Sequence, residues 1–151
     1  MASANGKGNL VVAHAILAQL GIPSLTVFDS DSGNADRLRK RGRSQHEIDD
    51  EDRKNSTLNR AILEYHGVSD LSDYPAGRQS PHLVVWDDNL EQVLQDTWAA
   101  WTPTHENLLA ELGEGKTKRA AVYRLTARRC EGQPSEILTE VITLARSLSG
   151  L

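Results

Sequence analysis

The sequence predicts an α/β fold: a small parallel sheet flanked by helices, with a helical C-terminal part. Three observations lead there. Two short β-rich runs, residues 25–28 and 82–86, each end in acidic residues, as strands of a parallel sheet do where they meet loops. Aromatic residues make up only 5% of the chain, with a single Phe, so the core must be aliphatic and alanine-rich. Between and after the two runs the apolar residues recur at helical spacing. The predicted division is an α/β core over residues 1–100 and a helical extension over 101–151, packed as one unit.

Residues 9–20 are almost wholly apolar or small (Leu10, Val11, Val12, Ala13, Ile16, Leu17, Leu20) and stop at Gly21, which suits a left-handed helix cap. The expectation is a helix buried on most of its surface. Pro23 then breaks it, and residues 25–28 read as a fully buried strand running into Asp29-Ser30-Asp31-Ser32-Gly33. The stretch 34–54 holds 13 charged residues among 21, a basic cluster followed by an acidic one, with Gly42 between them. With so few apolar residues it is expected to be a mobile loop with helical ends.

A helix is predicted from Ser56 or Thr57 to Tyr65, with Leu58, Ile62 and Tyr65 on its inner face and Gly67 as its stop. A polar loop carrying Pro75, Gly77 and Pro81 leads to the second strand, after which Asp87-Asp88-Asn89 can cap the helix containing Leu90, Glu91, Val93 and Leu94. Residues 104–112 form a short helix ended by Gly113. A basic helix follows from near Thr117, with Ala121, Val122 and Leu125 inward and Arg124 and Arg128 outward at i,i+4. Pro134 opens the last helix, whose apolar stripe is Ile137, Leu138, Val141, Leu144, Ala145 and Leu148.

A chain of 151 residues can bury a core without disulfides or metal staples, and it has no apolar run approaching eighteen residues, so no membrane-spanning helix is expected. Cys130 is the single cysteine, and the start of the chain lacks the apolar stretch of a signal peptide; a reducing, cytoplasmic setting is expected. Net charge is −4, from 17 basic and 21 acidic residues, which argues against a surface coated in positive charge. Its distribution matters more. Residues 116–130 carry six basic side chains and no acidic one, so a basic stripe is compatible with the acidic total.

Asp29 and Asp31 lie where a buried strand ends, the edge at which open parallel sheets bind ligands. Two carboxylates facing one small volume repel unless a cation joins them, and Mg²⁺ takes one or two protein carboxylates while leaving its other positions to water and phosphate oxygens. A turn with helix-capping aspartates is the alternative. His14 reads as a packed side chain, and His46, His66, His82 and His105 lack zinc-ligand spacing.

In order along the chain, Asn5-Gly6-Lys7-Gly8-Asn9 before an apolar helix, Leu20-Gly21-Ile22-Pro23, the Asp29-Ser30-Asp31 strand end, Asn59-Arg60-Ala61-Ile62-Leu63 before Gly67, Asn89-Leu90-Glu91 and Lys116-Thr117-Lys118 resemble the TOPRIM domain of the OLD family of ATP-dependent endonucleases. The resemblance implies a Mg²⁺- or Mn²⁺-dependent DNA nuclease with two metal ions. Asp29, Asp31 and Glu91 would be metal ligands, and Lys118 or Lys116 would contact phosphate as a catalytic cation beside the aspartates. Apart from the resemblance, the basic stripe of Arg119, Arg124, Arg128 and Arg129 can be read as a track for the DNA backbone. Each has a plainer reading: Glu91 as a first-turn capping acid, and the lysines and arginines as solvated helix residues.

Phage or plasmid defence is the setting the family suggests. DNA, a separate ATPase domain or subunit and a second copy of the chain are the partners this reading admits; ATP enters only through that other domain, since there is no Gly-Lys-Ser or Gly-Lys-Thr phosphate loop and Gly6-Lys7-Gly8 does not replace one. The family's opening Glu-Gly-x-x-Glu strand has no counterpart before Asn5. The expectation is a fragment or shortened relative with weak or absent nuclease activity alone. Val27-Phe28-Asp29-Ser30-Asp31 also resembles the first motif of haloacid-dehalogenase-type phosphatases, though Ser32-Gly33 replaces that family's Gly-Thr or Gly-Val. A non-catalytic partner-docking α/β domain is the third alternative.

Overall fold

The structure, a computed structural model, describes residues 6–115 and 119–149. Their fold is mixed α/β, with seven helices and a three-stranded sheet. After a 3₁₀ turn at Lys7–Asn9 come α1 (Leu10–Gln19), β1 (Thr26–Asp29), α2 (Asn34–Lys40), α3 (Gln45–Tyr65), β2 (Gly77–Ser80), β3 (Leu83–Trp86), α4 (Leu90–Thr97), α5 (Trp101–Leu112), α6 (Ala120–Arg129) and α7 (Glu136–Ser149). The chain divides into two compact units, Met1–Leu90 with Glu140–Leu151, and Glu91–Thr139. No helix among the described residues is long and apolar enough to cross a membrane.

In the first unit, β3 is the central strand. It pairs in parallel with β1, Thr26 opposite Leu83 and Asp29 opposite Trp86, and antiparallel with β2. All four β3 residues are buried, as a central strand's composition of Leu83, Val84, Val85 and Trp86 requires. β1 buries Thr26 and Phe28 and only half-buries Val27 and Asp29, so the fully buried strand expected there is a one-sided one. β2 occupies a stretch expected to be a polar loop. Its residues Gly77, Arg78, Gln79 and Ser80 carry no strand pattern; an edge strand needs only backbone bonds on one side, and the pairing slips between Arg78 and Ser80.

The core of this unit is Phe28, Ile62, Leu63, Leu83 and Val85, with Leu10, Val11 and Val68 partly buried against it. The inner face of α3 is therefore Asn59, Ile62 and Leu63, while Tyr65, expected inside, is exposed. α1 departs further from expectation. None of its residues is buried, and Val12, Ile16 and Leu20 are 61%, 56% and 67% exposed. Apolar residues on every side make a helix that could be covered from any direction, but such a pattern does not say how much protein is there to cover it.

The expected mobile loop at 34–54 is instead helical. α2 ends at Lys40, and α3 begins with a full capping box in which the Ser44 hydroxyl accepts from the Glu47 amide and the Glu47 carboxylate accepts from the Ser44 amide. Those bonds hold the Glu47 carboxyl below its ordinary pKa. Ile48 is buried on this part of α3, and ion pairs one turn apart, Arg43 with Glu47 at 3.0 Å and Arg53 with Asp50 at 3.4 Å, add to the helix on its exposed side.

In the second unit, α5 and α6 join through Leu108, Leu109 and Val122. Trp101 and His105 stack 5.9 Å apart, and the Tyr123 ring lies against both. α5 stops at Gly113, whose φ of +63° is open to glycine and costly for most other residues. α6 buries Val122 and Thr126, whereas Ala121 and Leu125, expected inward, are exposed. Thr126 satisfies itself on the Val122 carbonyl and on His105, which lets a polar residue take the inner place. In α7 the expected stripe of Ile137, Leu138, Val141, Leu144 and Leu148 is half-buried, with Ala145 outside.

Candidate functional site

The parallel pairing of β1 and β3 puts two chain segments, 30–33 and 87–88, side by side at one sheet edge. They are laced together. The Ser30 amide donates to the Trp86 carbonyl and the Asp31 amide to the Asp88 carbonyl, each at 2.9 Å, and the Ser30 hydroxyl donates to the Asp87 carbonyl. Ser30 is fully buried by these contacts. Asp31 then takes φ +64°, and among the described residues it is the single non-glycine residue in the left-handed region. Aspartate tolerates that region better than most residues, at a cost of about 1 kcal/mol.

The side chain of Asp31 meets two cations. Lys7 Nζ donates to Asp31 Oδ2 at 2.8 Å, and Arg37 Nη2 lies 3.8 Å from Asp31 Oδ1. Arg37 also donates to Asp88 Oδ2, and Asp88 Oδ1 accepts from the Gly33 amide at 3.3 Å. A Cβ on Gly33 would stand 2.6 Å from Asp88 Oδ2, so only glycine lets the carboxylate approach this closely. The result is an alternating row, Lys7, Asp31, Arg37, Asp88, assembled from the 3₁₀ turn, the end of β1, α2 and the end of β3.

Asn59 fixes this row from below. It is fully buried on α3; its amide donates to the Ser30 carbonyl at 2.9 Å and the Asp73 carbonyl at 2.7 Å, and its Oδ1 accepts from Lys7 Nζ at 3.0 Å. Lys7 Nζ also lies 5.6 Å from the centre of the Phe28 ring, within cation–π range. Tyr74, from the loop after α3, donates to Asp52. Its phenol is raised above the ordinary range by burial first, then by Asp52, Asp73 and Asp31.

Asp29 and Asp31, foreseen as a pair, do share this edge, but they do different things. Asp29 Oδ1 accepts from the Leu90 amide at 3.1 Å and so serves the first turn of α4, a duty expected of Asp87, Asp88 or Asn89. Glu91 belongs to the second unit, where its Oε1 accepts from the Tyr123 hydroxyl at 3.3 Å; burial and this carboxylate raise the Tyr123 pKa. Lys116 and Lys118 lie outside the described residues. Arg124 and Arg128 are exposed on α6 as expected, while Arg119 pairs with Glu114 and Arg129 with Glu111.

No site role was expected of Lys7, Arg37, Asp88 or Asn59; Lys7 and Asn59 entered only as motif residues and Asp88 as a capping candidate. Asn59 had a signal: it sits three and four residues before Ile62 and Leu63, in register with the buried face. Lys7 had none, because Asp31 is 24 residues away, and Arg37 stands in a run of like charges with one partner six residues away and the other 51.

Among the described residues no three His, Cys, Asp or Glu side chains gather into a ready-made metal cage. Magnesium asks for less, one or two carboxylates with water and phosphate oxygens filling the remainder, and the donor chemistry of Asp29 and Asp31 fits that demand. Both carboxylates now serve hydrogen-bond donors, and Asp31 already has a cation at its side. No family model, curated protein or solved structure matches the chain.

Proposed function

We propose that this chain is a metal-assisted phosphodiester-hydrolysing domain acting on DNA, of the kind found in OLD-family endonucleases. The observation that carries the reading is Asp31: a carboxylate in a left-handed backbone conformation at the carboxyl end of a parallel strand, held between Lys7 and Arg37. Strain of that sort is kept where surrounding structure over-determines it, and such places cluster at functional sites.

Asp29 and Asp31 would hold the divalent ion, which when bound supplies a Lewis acid for a phosphoryl oxygen and lowers the pKa of a bound water. The remaining work falls to the chain. Lys7 and Arg37 offer positive charge next to the carboxylates, where a phosphate is drawn in and where charge grows on its oxygens. The Ser30 and Asn59 bonds hold the Asp31 backbone still, so little reorganisation is needed when substrate arrives.

The test is plasmid cleavage in Mg²⁺ or Mn²⁺ alongside hydrolysis of a small aryl phosphate. Nicking of DNA that is lost in EDTA and falls at least about 100-fold in Asp31→Asn supports the reading, a loss in the range of removing a main electrostatic contributor. Aryl phosphate hydrolysis without nicking would move the chain to the phosphatase class. Metal-independent behaviour of both the Asp31→Asn variant and the wild type would leave the aspartates as caps.

A further inference from the structure

We propose that Lys7 is the resident counter-cation of Asp31: a divalent ion has to displace it, and the displaced ammonium then neutralises a phosphate of the bound nucleic acid. This rests on reading Asp31 as a metal ligand. Three observations carry it. Lys7 Nζ is bonded to the Asp31 oxygen at 2.8 Å with its side chain only 11% exposed, so the two charges meet with little water between them. An ammonium and a divalent ion at that oxygen repel strongly in such surroundings, and one excludes the other.

Asn59 Oδ1, 3.0 Å from the same Nζ, provides a second acceptor that stays in place when Asp31 is taken. Asn59 is itself anchored by two bonds to backbone carbonyls, so the ammonium is retained at the site and not released to solvent. Finally, Arg37 is not the cation that leaves. It lies farther from Asp31, at 3.8 Å on the other oxygen, and remains paired with Asp88. A lysine on a four-carbon stem can swing by a few ångströms, which a forked guanidinium held by two carboxylates cannot do as freely.

Two consequences follow from this exchange. Metal binding to the chain alone is weakened by the resident lysine, and it tightens when a phosphate is present to receive that lysine. The two ligands are thus positively coupled through one side chain.

Binding of Mn²⁺ alone, read from the electron paramagnetic resonance signal of the free ion, tests the idea on wild type, Lys7→Met and Asp31→Asn. The expected result is Mn²⁺ affinity about ten-fold higher in Lys7→Met than in wild type, with plasmid cleavage lower by about ten-fold or more, and no binding at this site in Asp31→Asn. Equal or weaker Mn²⁺ affinity in Lys7→Met, with binding still dependent on Asp31, overturns the displacement while leaving the metal site standing. Absence of Asp31-dependent binding in every variant overturns the metal reading, and the displacement falls with it. Melting in EDTA establishes that each variant is folded. Lys7→Gln, which keeps a hydrogen-bond donor for Asp31, carries the same expectation should the methionine variant not fold.

Discussion

Two regions of this chain are rich in charge and use it in opposite ways. Along α2 and the first half of α3 the pairs are local: Asp36 with Arg39, Arg43 with Glu47, Asp50 with Arg53 and Glu51 with Lys54 are three or four residues apart and exposed. At the sheet edge the pairs span 24 and 51 residues, and Lys7, Asp31, Arg37 and Asp88 are 11%, 28%, 31% and 16% exposed. Charges spaced one helical turn apart stabilise the helix that bears them, by a few tenths of a kcal/mol per pair. Charges drawn from distant parts of the chain into a half-buried row need a reason beyond secondary structure, and a ligand site supplies one.

The comparison can be broken most sharply at Asn59. Asn59→Leu leaves two backbone carbonyls and Lys7 without their partner, and urea unfolding should show a loss of about 3 kcal/mol. Asp88→Asn removes the partly buried partner of Arg37 and should cost about 2 kcal/mol by the same measurement. A smaller loss at Asn59 than at Asp88 would mean that the row does not depend on its α3 anchor. Ser44→Ala, on the local side of the comparison, removes a helix cap and should cost about 1 kcal/mol. Arg53→Ala should change stability by less than about 0.5 kcal/mol, and 1 M salt should erase what difference remains.

Histidine titration gives a check outside both regions. Burial first, then the neighbouring His14 and His82, lowers the His66 pKa from 6.5 to about 4. The unfolded chain therefore binds the proton more readily between those values, and stability falls as pH is lowered through that window. Discounted for the half-exposed ring, the loss between pH 7 and pH 5 is about 1 kcal/mol and should vanish in His66→Asn. An unchanged pH dependence in that variant would place the acid sensitivity elsewhere.

β1, β3 and most helices were legible because their signals are local, whereas the edge strand β2 carries none. Leu83, Val84 and Val85 in one run, Gly113 after α5 and the i,i+4 arginines of α6 each speak for the few residues around them. The region 34–54 was misread because helix formation by ion pairs and a capping box leaves no apolar pattern. Asp29 and Asp31 were legible as a pair at a strand end, but the split between them was not. Leu90, which engages Asp29, and Lys7, which engages Asp31, come from opposite sides of the pair in sequence; the parallel register of β1 with β3 brings Leu90 there, while Lys7 arrives from the 3₁₀ turn and also bonds Asn59 of α3.

The most direct measurement is calorimetric titration of Mn²⁺ into wild type, Asp31→Asn and Asp50→Asn. The account predicts one class of binding that is lost in Asp31→Asn and kept in Asp50→Asn, since Asp50 belongs to the local pairs of α3. Binding that survives in Asp31→Asn, or that disappears equally in both variants, would contradict it.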